Sequence, residues 1–209
     1  MHPIARFRPA TPEDVDAVVP LIYSSGPDAF NYVFCVPQKA SAQDFLRAAF
    51  LGGDTQFGWR NHSVVELDGC VVGVGAAWGA EQTLRFSLQA VRRFWRIYGW
   101  RHVLGVLVRG LRTESVIRPP RPGCLYVAHL GVAPEYRSQG LGHALLHWFA
   151  ERGRAAYRTL ALDVAVTNSR AQALYEKLGF RVCAERPSTL SNAHGFVPGA
   201  SYMERPNAN

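Results

Sequence analysis

Glycines and a basic residue follow an apolar run in the middle of the chain, in a pattern that can bind an anion. Arg137, Gly140 and Gly142 are spaced Arg-x-x-Gly-x-Gly, directly after the apolar residues 125–132. Apolar residues then recur at helical spacing from Leu141 onward, so a helix begins inside the glycine loop. Glycine leaves backbone N–H groups unobstructed, and the first turn of a helix has N–H groups without internal partners. The sequence therefore predicts an anion-binding loop between a strand and a helix.

Two common nucleotide-binding loops do not fit this spacing. A dinucleotide loop has Gly-x-Gly-x-x-Gly, and a nucleoside triphosphate loop ends in Lys-Ser or Lys-Thr, and both features are missing around Gly140. Considered by itself, the loop leaves open a structural glycine turn that binds nothing.

A second segment, about 30 residues further along, has the pattern of a capped helix. Asn168 is a good N-cap, and Gly179 is placed to close the helix in a left-handed conformation. Between them, Leu174 and Tyr175 lie on the apolar face. The preceding run 159–166 is apolar except for Thr159 and Asp163, which predicts a second buried strand beside the first.

Together these two segments resemble the GCN5-related N-acetyltransferase (GNAT) superfamily. Val132-Ala-Pro-Glu-Tyr-Arg-Ser-Gln-Gly-Leu-Gly is similar to its acyl-CoA loop, and Asn168-x-x-Ala-x-x-Leu-Tyr-Glu-x-x-Gly-Phe to its second signature. The resemblance is close over residues 124–184 and loose over 4–23 and 63–79. It implies an α/β fold in a single N-acetyltransferase domain over 1–209. That fold has a mixed central sheet, splayed central strands and helices on both faces, here with an extra helical insertion at about 81–112.

The resemblance also implies how acetyl-CoA would bind. Its pantetheine arm would lie between the splayed strands, its pyrophosphate on the N–H groups of residues 137–142, and its thioester carbonyl at a backbone N–H near Val132. The cofactor-binding residues implied in this way are Leu130, Val132, Arg137, Ser138, Gln139, Gly140, Leu141, Gly142, His143, Asn168 and Tyr175.

The activity that the resemblance implies is direct transfer of an acetyl group to a primary amine of a small molecule or a protein. The reaction would pass through a tetrahedral intermediate without a covalent enzyme intermediate. Tyr175 stands where the family places the acid that protonates the leaving thiolate, and a core aromatic is its alternative role. A non-catalytic acyl-CoA sensor or scaffold with the same fold is the alternative function.

Several residues are candidates for the general base that the reaction needs. The position that best matches the base of some relatives is Ala128, which has no ionisable group. Its neighbours Tyr126 and His129 remain, and imidazole has a suitable pKa. Strict alternation sends these two side chains to opposite faces, so both reach the gap only if the strand contains a bulge. Asp163 and Glu66 are lesser candidates.

The amine acceptor would border the turn between the first two helices, because the resemblance places that turn beside the substrate. Asp28, Phe30, Asn31 and Tyr32 are therefore candidates for its wall, with ordinary loop packing as their alternative role. No metal is expected. The histidines at 143 and 147 have helical metal-binding spacing, but no glutamate stands between them and no third ligand is evident.

Turn residues and periodicity predict the remaining elements. We expect the following segments: a strand over Ile4–Arg8, a helix from Thr11 to Tyr23, an irregular segment over Asp28–Gln38, a helix from about Ser41, a hairpin over 63–78 turning at Asp68-Gly69, one or two helices over 81–112, an extended segment over 117–123, final strands at Arg181–Glu185 and Tyr202–Glu204, and a loop over 191–199.

The positive charge of the chain is concentrated in one segment. The formal net charge is +7, and residues 85–121 contain nine arginines against one acid, Glu114. Because the rest of the chain is nearly neutral, we expect no general nucleic-acid surface. For the arginine-rich insertion we favour core cover or a homodimer interface, and a membrane-surface helix is the alternative.

Partners and location follow from what else the sequence contains. The N-terminal residues lack the apolar core of a signal peptide, and no stretch of about 18 uncharged apolar residues occurs. We therefore expect a cytoplasmic protein without stable membrane insertion, whose ligands are acetyl-CoA and an amine. The four cysteines, at 35, 70, 124 and 183, are far apart in apolar surroundings, which favours buried free thiols.

Overall fold

A computed structural model gives the structure of residues 5–207, so Ile4, where the first strand was predicted to begin, lies outside the described range. Within that range the elements are, in order, β1 (Arg6–Pro9), α1 (Val15–Ser24), α2 (Pro27–Phe34), α3 (Ala42–Gly52), β2 (His62–Leu67), β3 (Cys70–Trp78), α4 (Thr83–Thr113), β4 (Cys124–Val132), α5 (Leu141–Gly153), β5 (Thr159–Ala165), α6 (Ser169–Lys177), β6 (Arg181–Arg186), β7 (Ser191–Asn192), β8 (Gly195–Phe196) and β9 (Ala200–Pro206).

Seven of these strands form one mixed sheet in the order β1-β2-β3-β4-β5-β9-β6, while β7 and β8 form a separate small hairpin. Only β4 and β5 are parallel neighbours. Successive residues of β2 face opposite sides: Val64 packs in a core with α1 to α4, and Val65 packs in a core with α5. Helices therefore cover both faces, and the predicted α/β fold class is confirmed.

The two parallel strands separate soon after they meet. Their pairing extends only from Cys124 with Thr159 to Tyr126 with Ala161. Beyond Tyr126 no pairing joins β4 to β5, which leaves one backbone edge of β4 without a neighbouring strand in the described part of the sheet. The prediction of splayed central strands is confirmed.

Local signals in the sequence determine several element boundaries. Thr11 and Asp14 form a capping box before α1, and Ser41 forms another with Asp44 before α3. Asp68-Gly69 joins β2 to β3 with positive φ at both residues, 49° and 80°, as a type I′ turn requires.

Three expectations differ from the structure. The segment Asp28–Gln38 is not irregular, because Pro27 at the first helical position starts α2, whose last residues are buried. The 191–199 loop contains the β7–β8 hairpin. All four cysteines are free, but Cys70 and Cys183 are exposed rather than buried, because the first lies beside the hairpin turn and the second on an outward-facing strand position.

The arginine-rich insertion is the long helix α4, which bends at Gly99 because that residue has φ 66° and ψ 178°. One side covers the core, where Phe86, Phe94 and Tyr98 are buried and the Tyr98 hydroxyl donates to the Phe34 carbonyl at 2.7 Å. The other side leaves large apolar side chains uncovered, and Leu84 is 72% exposed. None of the helices between residues 5 and 207 is both long and apolar enough to cross a bilayer.

Candidate active site

A bulge in β4 determines where the candidate catalytic residues point. Ala128 pairs with Ala76 and Gly131 with Val74, so His129 and Leu130 together oppose Gly75. A Cβ on Gly75 would lie 2.8 Å from Cδ2 of Leu130 and 2.9 Å from the Phe149 ring, so a larger residue there would have to displace these side chains. At the bulge His129 has φ 56°, a left-handed conformation.

The bulge brings together side chains that strict alternation would separate. Tyr126, Ala128 and His129 all line one cavity on the same side of the sheet. The condition stated for His129 in the sequence analysis, a local bulge, is therefore met.

Two histidines form a hydrogen-bonded chain that defines the protonation of the His129 ring. Nδ1 of His62 lies 2.9 Å from the Gly58 carbonyl, and Nε2 of His62 lies 3.2 Å from Nδ1 of His129. A carbonyl only accepts, so Nδ1 of a neutral His62 carries its proton and Nε2 accepts one from Nδ1 of His129. The remaining nitrogen, Nε2 of His129, is then an unprotonated acceptor.

The surroundings keep this pair of histidines neutral. Burial lowers the pKa of His62 to about 4. Burial, and secondarily the positive charge that a protonated His62 would carry, lower the pKa of His129 well below its usual value. The His129 ring stacks on Phe57 with 5.0 Å between ring centroids, and it lies edge to edge with the His62 ring, the two planes within 10° of each other. A neutral imidazole with a free Nε2 can accept a proton.

The cavity beside His129 has a volume of about 550 Å³, and most of its lining is apolar. It extends from β3 and β4 to α2 and α4. Its lining includes Phe30, Val33, Phe34, Phe45, Phe57, Trp78, Phe86, Ala90, Val91, Phe94, Leu107, Leu111, Tyr126, Ala128 and His129.

The other candidate bases are engaged in hydrogen bonds or lie elsewhere. The Tyr126 hydroxyl donates to Asp163 at 2.9 Å, and Arg186 donates to the same carboxylate at 3.1 Å. Burial raises the pKa of Asp163 to about 6 and that of Tyr126 well above its usual value. Glu66 pairs with Arg8 at 3.0 Å and does not line the cavity. Of the candidates, His129 alone combines a free acceptor nitrogen with a place on the cavity wall.

The glycine loop forms an anion-binding geometry on the other side of β4. Ser138 and Gly140 have φ of 64° and 79°, and α5 begins at the next residue. Within residues 5–207, the backbone N–H groups of 138–142 have no hydrogen-bond acceptor. The N–H of Arg137, predicted to belong to this group, instead donates to the Pro134 carbonyl at 3.3 Å because a 3₁₀ turn ends there.

Side chains around the loop hold its shape and add positive charge. Nε of Arg137 donates to the Val132 carbonyl at 3.1 Å, and Arg170 of α6 donates to Oγ of Ser138 at 2.8 Å. Gln139 donates back to the Glu135 carbonyl at 3.3 Å. Leu141 is buried and anchors the first turn of α5 in the core. The loop is therefore a positive, preorganised site that fits a phosphate group.

Helix α6 places the second predicted segment on the same side of the sheet as the loop. The side chain of Asn168 accepts from the Ala171 N–H at 3.1 Å and caps the helix. Tyr175 packs edge-on against Phe180 and belongs to the same apolar cluster as Leu130 and Val132. Burial raises the pKa of Tyr175 to about 12, so its hydroxyl keeps its proton at neutral pH and can donate it.

Only one of the four predicted acceptor residues lines the cavity. Phe30 does so, with its ring centroid 6.1 Å from that of His129. Asn31 donates to the Tyr23 hydroxyl at 2.9 Å, Tyr32 is buried in the core, and Asp28 is exposed near the start of α2. The predicted wall was a turn, whereas α2 is a helix that presents one face to the cavity.

Most of the cavity wall and the partner of His129 were not predicted from the sequence. Trp78 stands at the end of a correctly predicted strand, so its proximity to Tyr126 follows from strand pairing. Phe57 carries no local signal, because only tertiary packing brings it to His129. His62 pairs with Ala76 and Ala76 with Ala128, so its closeness to His129 follows from the register of three strands. His143 and His147 are both exposed on α5.

Two parallel strands that separate beside an anion-binding loop place the protein among α/β folds with a ligand site between splayed strands. The chain belongs to the acetyltransferase (GNAT) family, whose model matches residues 40–180.

Individual relatives resemble the chain in part or at low identity. It is 47% identical over 68 residues to the [ribosomal protein bS18]-alanine N-acetyltransferase of Escherichia coli K12; this match covers 32% of the chain and about half, 46%, of that protein. An N-acetyltransferase of Staphylococcus aureus Mu50 superposes with a TM-score of 0.66 at 15% identity, over 96% of this chain and 100% of that one. A protein of Salmonella typhimurium solved with its cofactor acetyl-CoA superposes at 0.54 and 16% identity, over 99% and 95%.

The neutral His62 predicts a pH-dependent stability. Its pKa is about 4 in the folded chain and about 6.5 in an unfolded one, so between these values the unfolded state binds more protons. The contribution of the neutral His62 ring to the free energy of unfolding is complete above pH 6.5 and is lost as the pH falls towards 4. In urea unfolding, we expect the difference in unfolding free energy between wild type and His62→Phe to shrink by on the order of 3 kcal/mol from pH 7 to pH 4. A difference that does not change with pH would contradict the buried neutral imidazole.

Proposed function

We propose that the protein is an acetyl-CoA-dependent N-acetyltransferase that transfers the acetyl group directly to a primary amine. The observation that carries this proposal is the pair of features on the two sides of β4. One is a loop whose N–H groups at 138–142 have no acceptor among residues 5–207, and the other is the unprotonated Nε2 of His129. Membership of the GNAT family supports the same activity.

The donor side of the site fits acetyl-CoA, which supplies a thioester. The N–H groups of 138–142, with Arg137 and Arg170 nearby, would hold the pyrophosphate. The unpaired edge of β4, including Leu130 and Val132, would hold the pantetheine arm as an added strand. The predicted contacts of Gln139, His143 and Asn168 belong to the same proposal.

His129 and Tyr175 would move the two protons of the reaction. Nε2 of His129 takes a proton from the attacking ammonium, so that the nitrogen lone pair can form the new C–N bond. A backbone N–H near Val132 would stabilise the carbonyl oxygen as it gains negative charge. Tyr175 donates its phenolic proton to the sulfur as the C–S bond breaks, which its pKa of about 12 allows at neutral pH. The second proton that the nitrogen loses on becoming an amide then returns the phenolate to a phenol, directly or through solvent.

The class of amine acceptor, the extent of the domain and the cellular location are also proposals. The relative from Escherichia coli is named for an alanine of a ribosomal protein. Protein amino groups and small-molecule amines are therefore both candidate acceptors for this chain. We propose one domain over 1–209 that works in the cytoplasm and does not bind nucleic acid. In support, the excess of positive over negative charge is concentrated in the segment 85–121.

A carboxylate placed in the loop should abolish cofactor binding. We expect Gly140→Glu to weaken acetyl-CoA binding, measured by calorimetry, by about 100-fold, because the new charge repels the pyrophosphate and φ 79° disfavours a side chain. Gly69→Glu is the matched control, since Gly69 has φ 80°, equally open surroundings and a place in the β2–β3 turn. Equal binding by the two variants would refute the donor site.

A turnover assay separates an enzyme from a non-catalytic acyl-CoA sensor. Release of free CoA is followed with a panel of primary amines for wild type and for Tyr175→Phe. We expect the variant to bind acetyl-CoA normally and to turn over about 100-fold more slowly. Binding without CoA release from any amine would favour the sensor. Tyr157→Phe, beyond the far end of α5, is the control and should keep its activity.

A further inference from the structure

The cavity beyond His129 has a chemical character of its own. Its innermost walls are aromatic rings: Phe57 stacks on His129, and Phe30 and Trp78 lie with ring centroids 6.1 and 5.7 Å from it. The lining area is mostly apolar, and the volume of about 550 Å³ is in the range of small-molecule pockets. A flexible polar chain placed here would lose its hydration without compensation.

The insertion α4 closes the side of this cavity opposite the sheet. Phe86, Ala90, Phe94 and Leu107 all line it from that helix. The insertion therefore adds an apolar wall at the position where an acceptor amine must approach His129.

The cavity offers few charged groups to a ligand. Among the residues that line it, the ionisable ones are His129, Tyr126, Glu114 and Arg118. His129 is neutral and Tyr126 is bonded to Asp163, while Glu114 and Arg118 are exposed and stand at the rim. A second ammonium group on the ligand would find no carboxylate inside.

We propose that the acceptor is a monoamine with a compact apolar group, such as an aromatic ring or a branched alkyl chain. This inference rests on the proposed acetyltransferase function. The amine nitrogen lies at Nε2 of His129, and the apolar group fills the space between the aromatic rings and α4. The cavity selects against polyamines, because their further ammonium groups would be buried unpaired.

The test compares acceptors in the CoA-release assay. Phenethylamine, tryptamine and isoamylamine are compared with spermidine, putrescine and a peptide that begins with alanine. We expect kcat/KM at least tenfold higher for the apolar amines. Ala90→Phe narrows the cavity and should raise their KM at least tenfold without changing the affinity for acetyl-CoA. Leu88→Phe, on the exposed side of the same helix, should behave as wild type.

Each other outcome has a distinct meaning. Faster turnover of polyamines or of the peptide overturns this inference and leaves the proposed function intact. Preference for octanoyl-CoA over acetyl-CoA with a small amine overturns it too, because the cavity would then hold an acyl chain. If acetyl-CoA does not bind and no amine releases CoA, the proposed function fails, and this inference fails with it.

The outer face of α4, which is the side turned away from the core, has exposed apolar residues that support a second inference independent of the cavity. Each half of the helix bears an exposed apolar stripe at spacings of three and four residues, which places the stripe on one side. The stripes consist of Leu84, Leu88 and Trp95 in the first half and Trp100, Leu104 and Val108 in the second, with Val91 and Leu111, which also line the cavity, at their edges.

Exposed arginines accompany both stripes. They are Arg85, Arg92, Arg96, Arg101 and Arg112, and none forms an ion pair with an acidic residue in the described part of the chain. If two copies of this face met in a symmetric homodimer, their arginines would be brought together. An anionic lipid surface instead complements both the charge and the apolar stripe, and tryptophan favours that interface.

We infer that the outer face of α4 rests on anionic bilayers. The full chain should sediment with vesicles containing phosphatidylglycerol and should not sediment with pure phosphatidylcholine vesicles. Trp95→Ser with Trp100→Ser, and separately Arg92→Glu with Arg96→Glu, should each reduce the bound fraction at least fivefold. Arg158→Glu with Arg181→Glu makes the same charge change away from α4 and should not reduce it.

Two results would overturn the inference that the outer face of α4 rests on anionic bilayers. One is absence of sedimentation with phosphatidylglycerol vesicles. The other is a stable homodimer in analytical ultracentrifugation that Trp95→Ser with Trp100→Ser converts to monomers, since the stripe would then be the dimer interface predicted from the sequence.

Discussion

The bulge in β4 at His129 is the constraint on which the rest of the site depends. A residue with a side chain at φ 56° is strained by roughly 1–2 kcal/mol, so its surroundings must hold it there. The hydrogen bond to His62 and the stack on Phe57 do so. The bulge turns the imidazole to the cavity, and it lies in the part of β4 that is no longer paired with β5. The proposed base and the proposed opening for the donor are thus parts of one distorted strand.

The two halves of the site have different physical origins. The donor half is local: a loop with φ of 64° and 79° and the start of α5 leave N–H groups free within a few consecutive residues. The acceptor half is assembled from β3, β4, α2 and α4. The first half therefore depends on a few consecutive residues, whereas the character of the second depends on aromatic residues from several elements and on the long helix α4.

The features that the sequence predicts are the local ones, and the features that it does not predict are assembled from distant parts of the chain. The glycine loop, the Asn168 cap and the Asp68-Gly69 turn were predicted because each depends on neighbouring residues. The fold class and the splayed strands were predicted through the family resemblance, which itself rests on the glycine loop and the Asn168 segment. Helix α2 was missed because its aromatic residues have no clear period, and His62 was missed because it lies 67 positions before its partner. The bulge was stated as a condition, since alternation alone cannot reveal it.

The central claim is that the His62–His129 chain leaves Nε2 of His129 unprotonated and facing the cavity. Imidazole ¹⁵N chemical shifts measure this directly, with His129→Gln used to assign the signals. At pH 7 we predict that Nδ1 of both rings carries the proton and that Nε2 of both is unprotonated, with His129 becoming a mixture of tautomers in His62→Phe. A protonated Nε2 on His129, as the other tautomer or as imidazolium, would contradict the account.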